Sequence, residues 1–348
     1  MTNNEPSLPH WDLTNIYPGL ASPEFKAALE ETQSMAADLD DFLQANNISR
    51  SISPPADADP IELGKLLEQV INRLNASFTL LYTVKNYIAS FTTTDSYNTE
   101  AKRLMSQIDE IEVMFDQAEV TIKGWIGTLE ARLTEIIASN STAQEHAFYL
   151  QETAKQSRYL MSDPEESLAA ELSLSGIRAW NKLHGTITSQ LKADLELDGE
   201  VQSLPLPALQ NVRRYNLDES VRRRAFDAEI EILASMREPL AACMNGVKGH
   251  INVLNRRRGR EDAVHPALDQ SRIDRATLEA MMSAMQASFP IFRKYLKAKA
   301  NRFGKQALPW WDLFAPVGQS NRTFSWAAAE AFIVDNFGTF SDDLASYA

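Results

Sequence analysis

Between Leu63 and Tyr82 the apolar residues fall at Leu63, Leu66, Leu67, Val70, Ile71, Leu74, Phe78, Leu81 and Tyr82. Intervals of three and four put them along one side of an α-helix and on no single face of a strand. A helix of this length with one apolar stripe is stable only against other helices that offer the same, so the pattern commits the chain to helix-on-helix packing. Glycine use agrees, because only 13 glycines are spread through 348 residues, and the 44% hydrophobic content is enough for a sizeable core without disulfides or metals.

Start and stop signals divide the chain further. Ser22-Pro23-Glu24 supplies an N-cap and a proline at the first helical position, which predicts a helix from Pro23 to about Asn47. A polar break from Ser49 to Pro60 ends in a second start, Asp59-Pro60-Ile-Glu62, and that helix should reach about Phe91. A third is expected from about Tyr97 to Gly124, with Leu104, Ile108, Ile111, Met114 and Phe115 inward. Gly124 and Gly127 should mark a kink or break before shorter helices that run to about Ser157. Ser162-Asp-Pro-Glu165 is a capping box and opens a helix carrying Leu168, Leu172, Ile177 and Trp180.

The period then changes. Leu191, Ala193, Leu195 and Leu197 alternate with polar residues, Asp198-Gly199 follows, and Val201, Leu204 and Leu206 resume, which predicts a β-hairpin near 191–206 with a type I′ turn. Asp218 should cap a long helix, bent near Pro239 and ended by Gly259, and another should run from Asp274 to about Phe303, where Gly304 stops it. The last starts are Ser325 and Ser341. Only two turns follow Ser341, too few for a stable helix, so the chain is expected to be a piece of a longer or split protein. The fold class is all-α, mainly long antiparallel helices, with one small β-hairpin.

At the other end, Leu8-Pro-His-Trp-Asp-Leu-Thr-Asn-Ile-Tyr-Pro-Gly19 reads as an extended arm whose Trp11, Leu13, Ile16 and Tyr17 dock on something apolar. It is similar to Leu308-Pro-Trp-Trp-Asp-Leu313, and the pair reads as two independently docked turns.

Several classes of function lack support. Residues 1–190 carry 13 Lys and Arg against 27 Asp and Glu, whereas residues 191–348 carry 21 against 20, so the acidic first half argues against nucleic acid as a partner. No apolar run approaches the roughly 20 residues of a membrane span, and Met1-Thr-Asn-Asn-Glu-Pro lacks the basic and apolar regions of a signal peptide. One cysteine, Cys243, permits neither an internal disulfide nor a cysteine metal cluster and suits a reducing cytoplasm. Gly-x-Ser-x-Gly, Gly-x-x-x-x-Gly-Lys and Gly-x-Gly-x-x-Gly are all missing, which leaves serine-hydrolase, nucleoside-triphosphate and dinucleotide readings without a motif.

Five segments taken in order resemble one family. They are Trp11-Asp-Leu-Thr-Asn-Ile-Tyr17; Ser167-Leu-Ala-Ala-Glu-Leu-Ser-Leu-Ser-Gly-Ile-Arg-Ala-Trp180; the Asp-Gly hairpin followed by Arg222-Arg-Arg-Ala-Phe226; Ile273-Asp-Arg-Ala-Thr-Leu-Glu279; and Leu308-Pro-Trp-Trp-Asp-Leu-Phe-Ala-Pro316. Together they resemble the N-terminal portion of oligoendopeptidase F and its thimet-oligopeptidase-like relatives, which are zinc metallopeptidases. The resemblance implies a helical N-terminal domain over 1–190 and, over 191–348, the first part of a helical metallopeptidase domain that stops before the zinc-binding helix. In that family His-Glu-x-x-His supplies two zinc ligands and a base, and a later glutamate completes the site. The histidines here are His10, His146, His184, His250 and His265, and no two are four apart. No residue of this chain therefore receives a catalytic or metal-ligating role, and substrate-binding residues are left unassigned. Zinc is expected in the full-length family enzyme and not on this chain. The implied partners are short peptides and a missing C-terminal catalytic portion, with no nucleic acid and no membrane.

The remaining candidates have bland readings that outweigh the functional ones. Glu145-His146 suggests half a metal site, but Tyr149 and Leu150 stand where a second histidine would be, so His146 is read as structural. Arg256-Arg-Arg-Gly-Arg260 is read as a solvated helix C-terminus that complements the dipole rather than an anion patch. Phe78, Tyr82, Tyr87 and Phe91 are read as core rather than as a channel lining, Trp310 and Trp311 as anchors of a turn, and Cys243 as a buried apolar group. The function expected is a part, inactive by itself, of a zinc oligoendopeptidase that cleaves short peptides. Its alternatives are a non-catalytic helical peptide-binding or scaffold protein and one chain of a split peptidase.

Overall fold

The computed structural model describes residues 11–318 and 322–347. Leu8 and His10 of the expected N-terminal arm lie outside them. The chain is mainly α-helical with one two-stranded antiparallel sheet.

Helices α1 (Pro23–Ala45), α2 (Pro60–Thr94) and α3 (Thr99–Thr128) form the first layer. Each begins where a side chain takes a free backbone amide: Ser22 accepts from Phe25 N–H, Asp59 from Ile61 N–H and Asn98 from Ala101 N–H. Their stripes meet in the main core around Phe25, Leu39, Leu67, Leu81, Ile108, Phe115, Ile122 and Trp125. The short helices α4 (Leu133–Ala138), α5 (Ser141–Glu145) and α6 (Ala147–Gln156) close this core with Leu133, Ile136 and Leu150. Of the expected arm, Leu13 and Tyr17 pack on the core, and Tyr87 donates its hydroxyl hydrogen to Tyr17 O at 2.8 Å. Trp11 and Ile16 stay exposed instead of docking.

Gly124 and Gly127 do not break α3. Both lie inside it because a Cβ at Gly124 would sit 2.7 Å from Arg50 Cβ, and one at Gly127 would sit 2.1 Å from Ser157 Oγ. The glycines serve close approach of neighbouring segments, not a change of direction. Met114, expected inward, is exposed.

The capping box opens α7 (Asp163–Ser173), but the helix stops at Ser173 and α8 (Ile177–Gln190) starts anew after Gly176. The expected single helix through Trp180 is thus two. Side chains of α8 are tied to α3, with Lys182 Nζ 2.5 Å from Asp109 and Arg178 bonded to Glu112 and Asp116. Strands β1 (Lys192–Leu197) and β2 (Glu200–Pro205) pair in the register Leu197 with Glu200, and Asp198 and Gly199 at φ 53° and 83° make the type I′ turn.

A second, small core forms where Leu195 of β1 meets Leu209 of α9 (Leu206–Tyr215) and Ala225 of α10 (Glu219–Ser235). Helices α9 and α12 (His265–Ser271) have no counterpart among the elements expected from the sequence. The expected bend near Pro239 is a full break at Met236, after which α11 (Arg237–Arg257) begins, because a proline within the first turn cannot bond back to the preceding helix. Helix α13 (Arg275–Arg302) buries only Lys299 and Ala300. Helices α14 (Trp326–Gly338) and α15 (Asp342–Tyr347) pack on each other and bury none of their described residues. Among the described residues no helix is long and apolar enough to cross a membrane.

The turn Trp310–Asp312 is anchored by one of its two tryptophans, Trp311, and more deeply by Asp312. Asp312 is fully buried and accepts from Arg222 Nη2 at 2.6 Å and Nε at 3.1 Å, while Lys305 contacts its other oxygen. Trp311 packs on Phe226, but Trp310 is exposed.

Helix α11 lies against α8 at a point where a Cβ on Gly246 would come within 2.5 Å of the Trp180 indole. A rigid ring cannot yield there, so Gly246→Val should cost about 1–3 kcal/mol by overpacking. Gly185 in α8 has open space, and Gly185→Ala should add about 0.5–1 kcal/mol through helix propensity and a less flexible unfolded chain. Denaturant melts of the two variants against the parent check both signs.

Candidate functional site

Helices α7 and α11 approach without meeting along their length, and the space between them is a trough. Its shape is set by one ion pair. Glu166 enters the buried region from the first turns of α7, accepts from Met161 N–H at 3.0 Å, and takes two hydrogen bonds from the Arg258 guanidinium at 3.0 and 2.6 Å. Burial alone would raise the Glu166 pKa, but Arg258 and the Met161 amide outweigh it and hold the carboxyl below its ordinary value. Beside it Glu165, which completes the capping box, also takes Arg257 Nη1 at 2.8 Å. Arg260 contacts Asp269, bonds to Gln156 and lies 3.8 Å above the Tyr159 ring. The basic run at the end of α11 is therefore a solvated terminus only in part: Arg256 and Arg257 are exposed, whereas Arg258 and Arg260 bind the run to α6, α7 and α12.

At one end the trough is apolar, a cleft of about 410 Å³ walled by Leu168 and Leu172 of α7 and by Val253 and Leu254 of α11. Ala169, Leu254 and His250 pass from this cleft into a second, of about 300 Å³, whose far wall is Asp116, Glu119 and Lys123 of α3. Glu119, Lys123 and Arg258 pass in turn into a third, of about 230 Å³, bordered by Tyr149, Tyr159, Arg260 and Arg272. The three are one continuous depression. His250 in its middle has a lowered pKa, first from burial and then from Arg258, so its imidazole is neutral at physiological pH. Asp116 on the opposite wall is raised by burial.

Residues singled out in the sequence go to different places. His146 ends α5 with its Nδ1 2.9 Å from Thr142 O, a structural role. His265 lies 3.5 Å from Asp269 and edge-on to Tyr159, apart from His146. Among the described residues no three of His, Cys, Asp and Glu are grouped to hold a metal, so these side chains do not fit a zinc centre. Tyr87 is buried, and Phe78 and Phe91 pack on the main core, as core residues should. Tyr82 does not join them. It is exposed, stacked on Phe78 at 5.7 Å, with its pKa raised by burial of its hydroxyl and by Glu112, Glu119 and Asp116. Cys243 is buried. The trough itself was invisible to sequence reading, apart from the capping box and the arginine run that border it.

Removing the Arg258 side chain strands a buried carboxylate, so Arg258→Met should destabilise the fold by about 3 kcal/mol in a denaturant melt at neutral pH. Because the folded-state pKa of Glu166 is depressed, its contribution is complete above the unfolded value near ~4.3 and is lost as pH falls through the folded value. The difference in stability between the parent and Glu166→Gln should therefore shrink on acidification, and a difference that grew would contradict the assignment.

Residues 128–192 match the family model described as Oligopeptidase F. No curated protein matches the sequence. Among solved structures, oligoendopeptidase-F from Enterococcus faecium superposes with a TM-score of 0.69 at 12% identity, covering 92% of this chain. A protein from Chlamydophila abortus assigned as a peptidase gives 0.59 at 15% identity over 97% of this chain. One from Bacillus anthracis assigned as an oligoendopeptidase F gives 0.58 at 15% over 92%. The chain spans 65% of the Enterococcus faecium protein and 54% of each of the other two. At these identities the structural likeness is one of fold, and the family match rests on the segment that runs from the end of α3 to the start of β1. In sequence over that segment, and in fold over nearly all its described length, the chain resembles the N-terminal portion of the oligoendopeptidase F family.

Proposed function

We propose that this chain is the N-terminal portion of a zinc-dependent oligoendopeptidase that hydrolyses internal bonds of short peptides in the cytoplasm. The observation that carries the reading is the shared fold over 92% of the chain with oligoendopeptidase-F, joined to the family match at 128–192. Residues 1–190 would then be the helical N-terminal domain and 191–348 the opening part of the metallopeptidase domain. The described residues do not fit a zinc centre, and the sequence holds no His-Glu-x-x-His. The reading therefore assigns the metal, which in such enzymes activates a water molecule, to polypeptide outside these 348 residues.

Within that enzyme the role of this chain is to admit and hold substrate. The trough between α7 and α11 supplies apolar and polar walls in one concave surface, the arrangement that peptide sites share. The apolar residues of α13 and α14, among them Met281, Met285, Phe289, Phe292, Phe332 and Ile333, remain exposed, a surface suited to cover by the catalytic portion.

The test is a hydrolysis assay on a short internally quenched fluorescent peptide with added zinc. The chain alone should show no chelator-sensitive cleavage, whereas the chain joined to or mixed with the polypeptide encoded after Ala348 should show it. Chelator-sensitive cleavage by this chain alone would refute the placement of the metal elsewhere. A downstream polypeptide without the zinc motif, together with no cleavage by the mixture, would refute the peptidase reading in favour of a non-catalytic helical binding protein.

A further inference from the structure

The trough has two unlike ends, and its polar end holds two cations with little to do. Arg258 and Arg260 are engaged by Glu166 and Asp269. Lys123 is different: among the described residues its ion-pair neighbour, Glu119, is 3.9 Å away, beyond hydrogen-bonding distance. Arg272 has Glu152 at 3.7 Å, a carboxylate that already accepts from Gln156 at 3.3 Å, and lies over the Phe148 ring at 5.4 Å. Both cations border the third cleft, together with the hydroxyl-bearing Tyr149. Arg272 also holds a left-handed backbone at φ 57°, a conformation that favours glycine, at the C-cap of α12. A long cationic side chain stands where backbone sterics favour glycine.

We propose that the trough binds a short peptide by two features at once: a bulky apolar side chain between α7 and α11, and a free C-terminal carboxylate between Lys123 and Arg272. This rests on the peptidase reading and names the substrate class within it. The two ends are connected through His250, Leu254 and Arg258 along α11. From His250 to Arg258 the helix rises about 12 Å, a distance that an extended peptide crosses in about four residues. Hydrogen-bonding capacity decides the orientation. Glu119, Asp116 and Glu152 also face the polar part, so the total charge there is nearly balanced, and a carboxylate is held by the Lys123 ammonium and the Arg272 guanidinium, whose own ion pairs are long, rather than by a net field. The apolar end takes the side chain because its walls are Leu168, Leu172, Val253 and Leu254. The neutral His250 between the ends adds no charge that would hold a carboxylate short of Lys123 and Arg272.

Binding is read by fluorescence anisotropy with a labelled tetrapeptide carrying one phenylalanine, as the free acid and as the C-terminal amide, on the full chain. The acid should bind about tenfold tighter than the amide. Lys123→Ala and Arg272→Gly should each remove most of that difference. Arg272→Gly relieves the backbone strain at φ 57°, which offsets loss of the long Glu152 pair and the Phe148 contact, and its denaturant melt, unchanged from the parent, separates loss of binding from unfolding. Leu168→Asp should weaken acid and amide alike. Equal affinity for acid and amide, or discrimination that survives both cation variants, overturns the proposal and leaves the peptidase reading standing. Failure of every peptide to bind, in a chain that melts cooperatively, also overturns the proposal, while the peptidase reading is decided separately by the hydrolysis assay. A saturated fatty acid that competes at the same site more tightly than the peptide acid would replace peptide by lipid as the occupant.

Discussion

The Glu166–Arg258 pair decides how the two helical regions meet. A carboxylate this buried is tolerable only when its lone pairs are taken, and here the guanidinium and a backbone amide take them. The geometry of the bond holds the end of α11 to the beginning of α7 and leaves the remainder of the two helices apart. A groove results instead of a closed interface, and its walls are apolar away from the pair and charged beside it. Burial lowers the pKa of His250 in the middle of the groove, and the same arginine adds to the effect.

Sequence reading succeeded where the signal was local. Ser22, Asp59, Asp218, Asp274 and Ser325 each cap the helix they were expected to start, because a capping side chain bonds to an amide two or three residues on. The hairpin was equally legible, since Asp198-Gly199 specifies its own turn. Glycine misled for a related reason. Local preference describes Gly124 and Gly127 as helix breakers, whereas their actual cause is the approach of Arg50 and Ser157 from elsewhere in the chain.

The candidate site was nearly illegible because its determinants are pairings at long separation. Glu166 and Arg258 are 92 positions apart, and nothing near either residue marks it as a partner of the other. The arginine run looked like an ordinary dipole-complementing helix end, which is what it would be if α6, α7 and α12 were not there to receive it. Tyr82 shows the complementary failure: its spacing matches the core stripe, but the helix has turned far enough by that point for the ring to face the acidic side of α3.

The bond between Arg222 and Asp312 has a consequence for how the chain assembles. Its partners are 90 residues apart, and the loop it closes contains the rest of α10 and the whole of α11, α12 and α13. The hairpin and the two helices after it can collapse on their own short-range contacts, whereas the Trp310–Asp312 turn must wait for its docking place. A contact formed after the rate-limiting step affects mainly how fast the native state comes apart. The pair therefore acts on the lifetime of the folded molecule more than on its rate of formation.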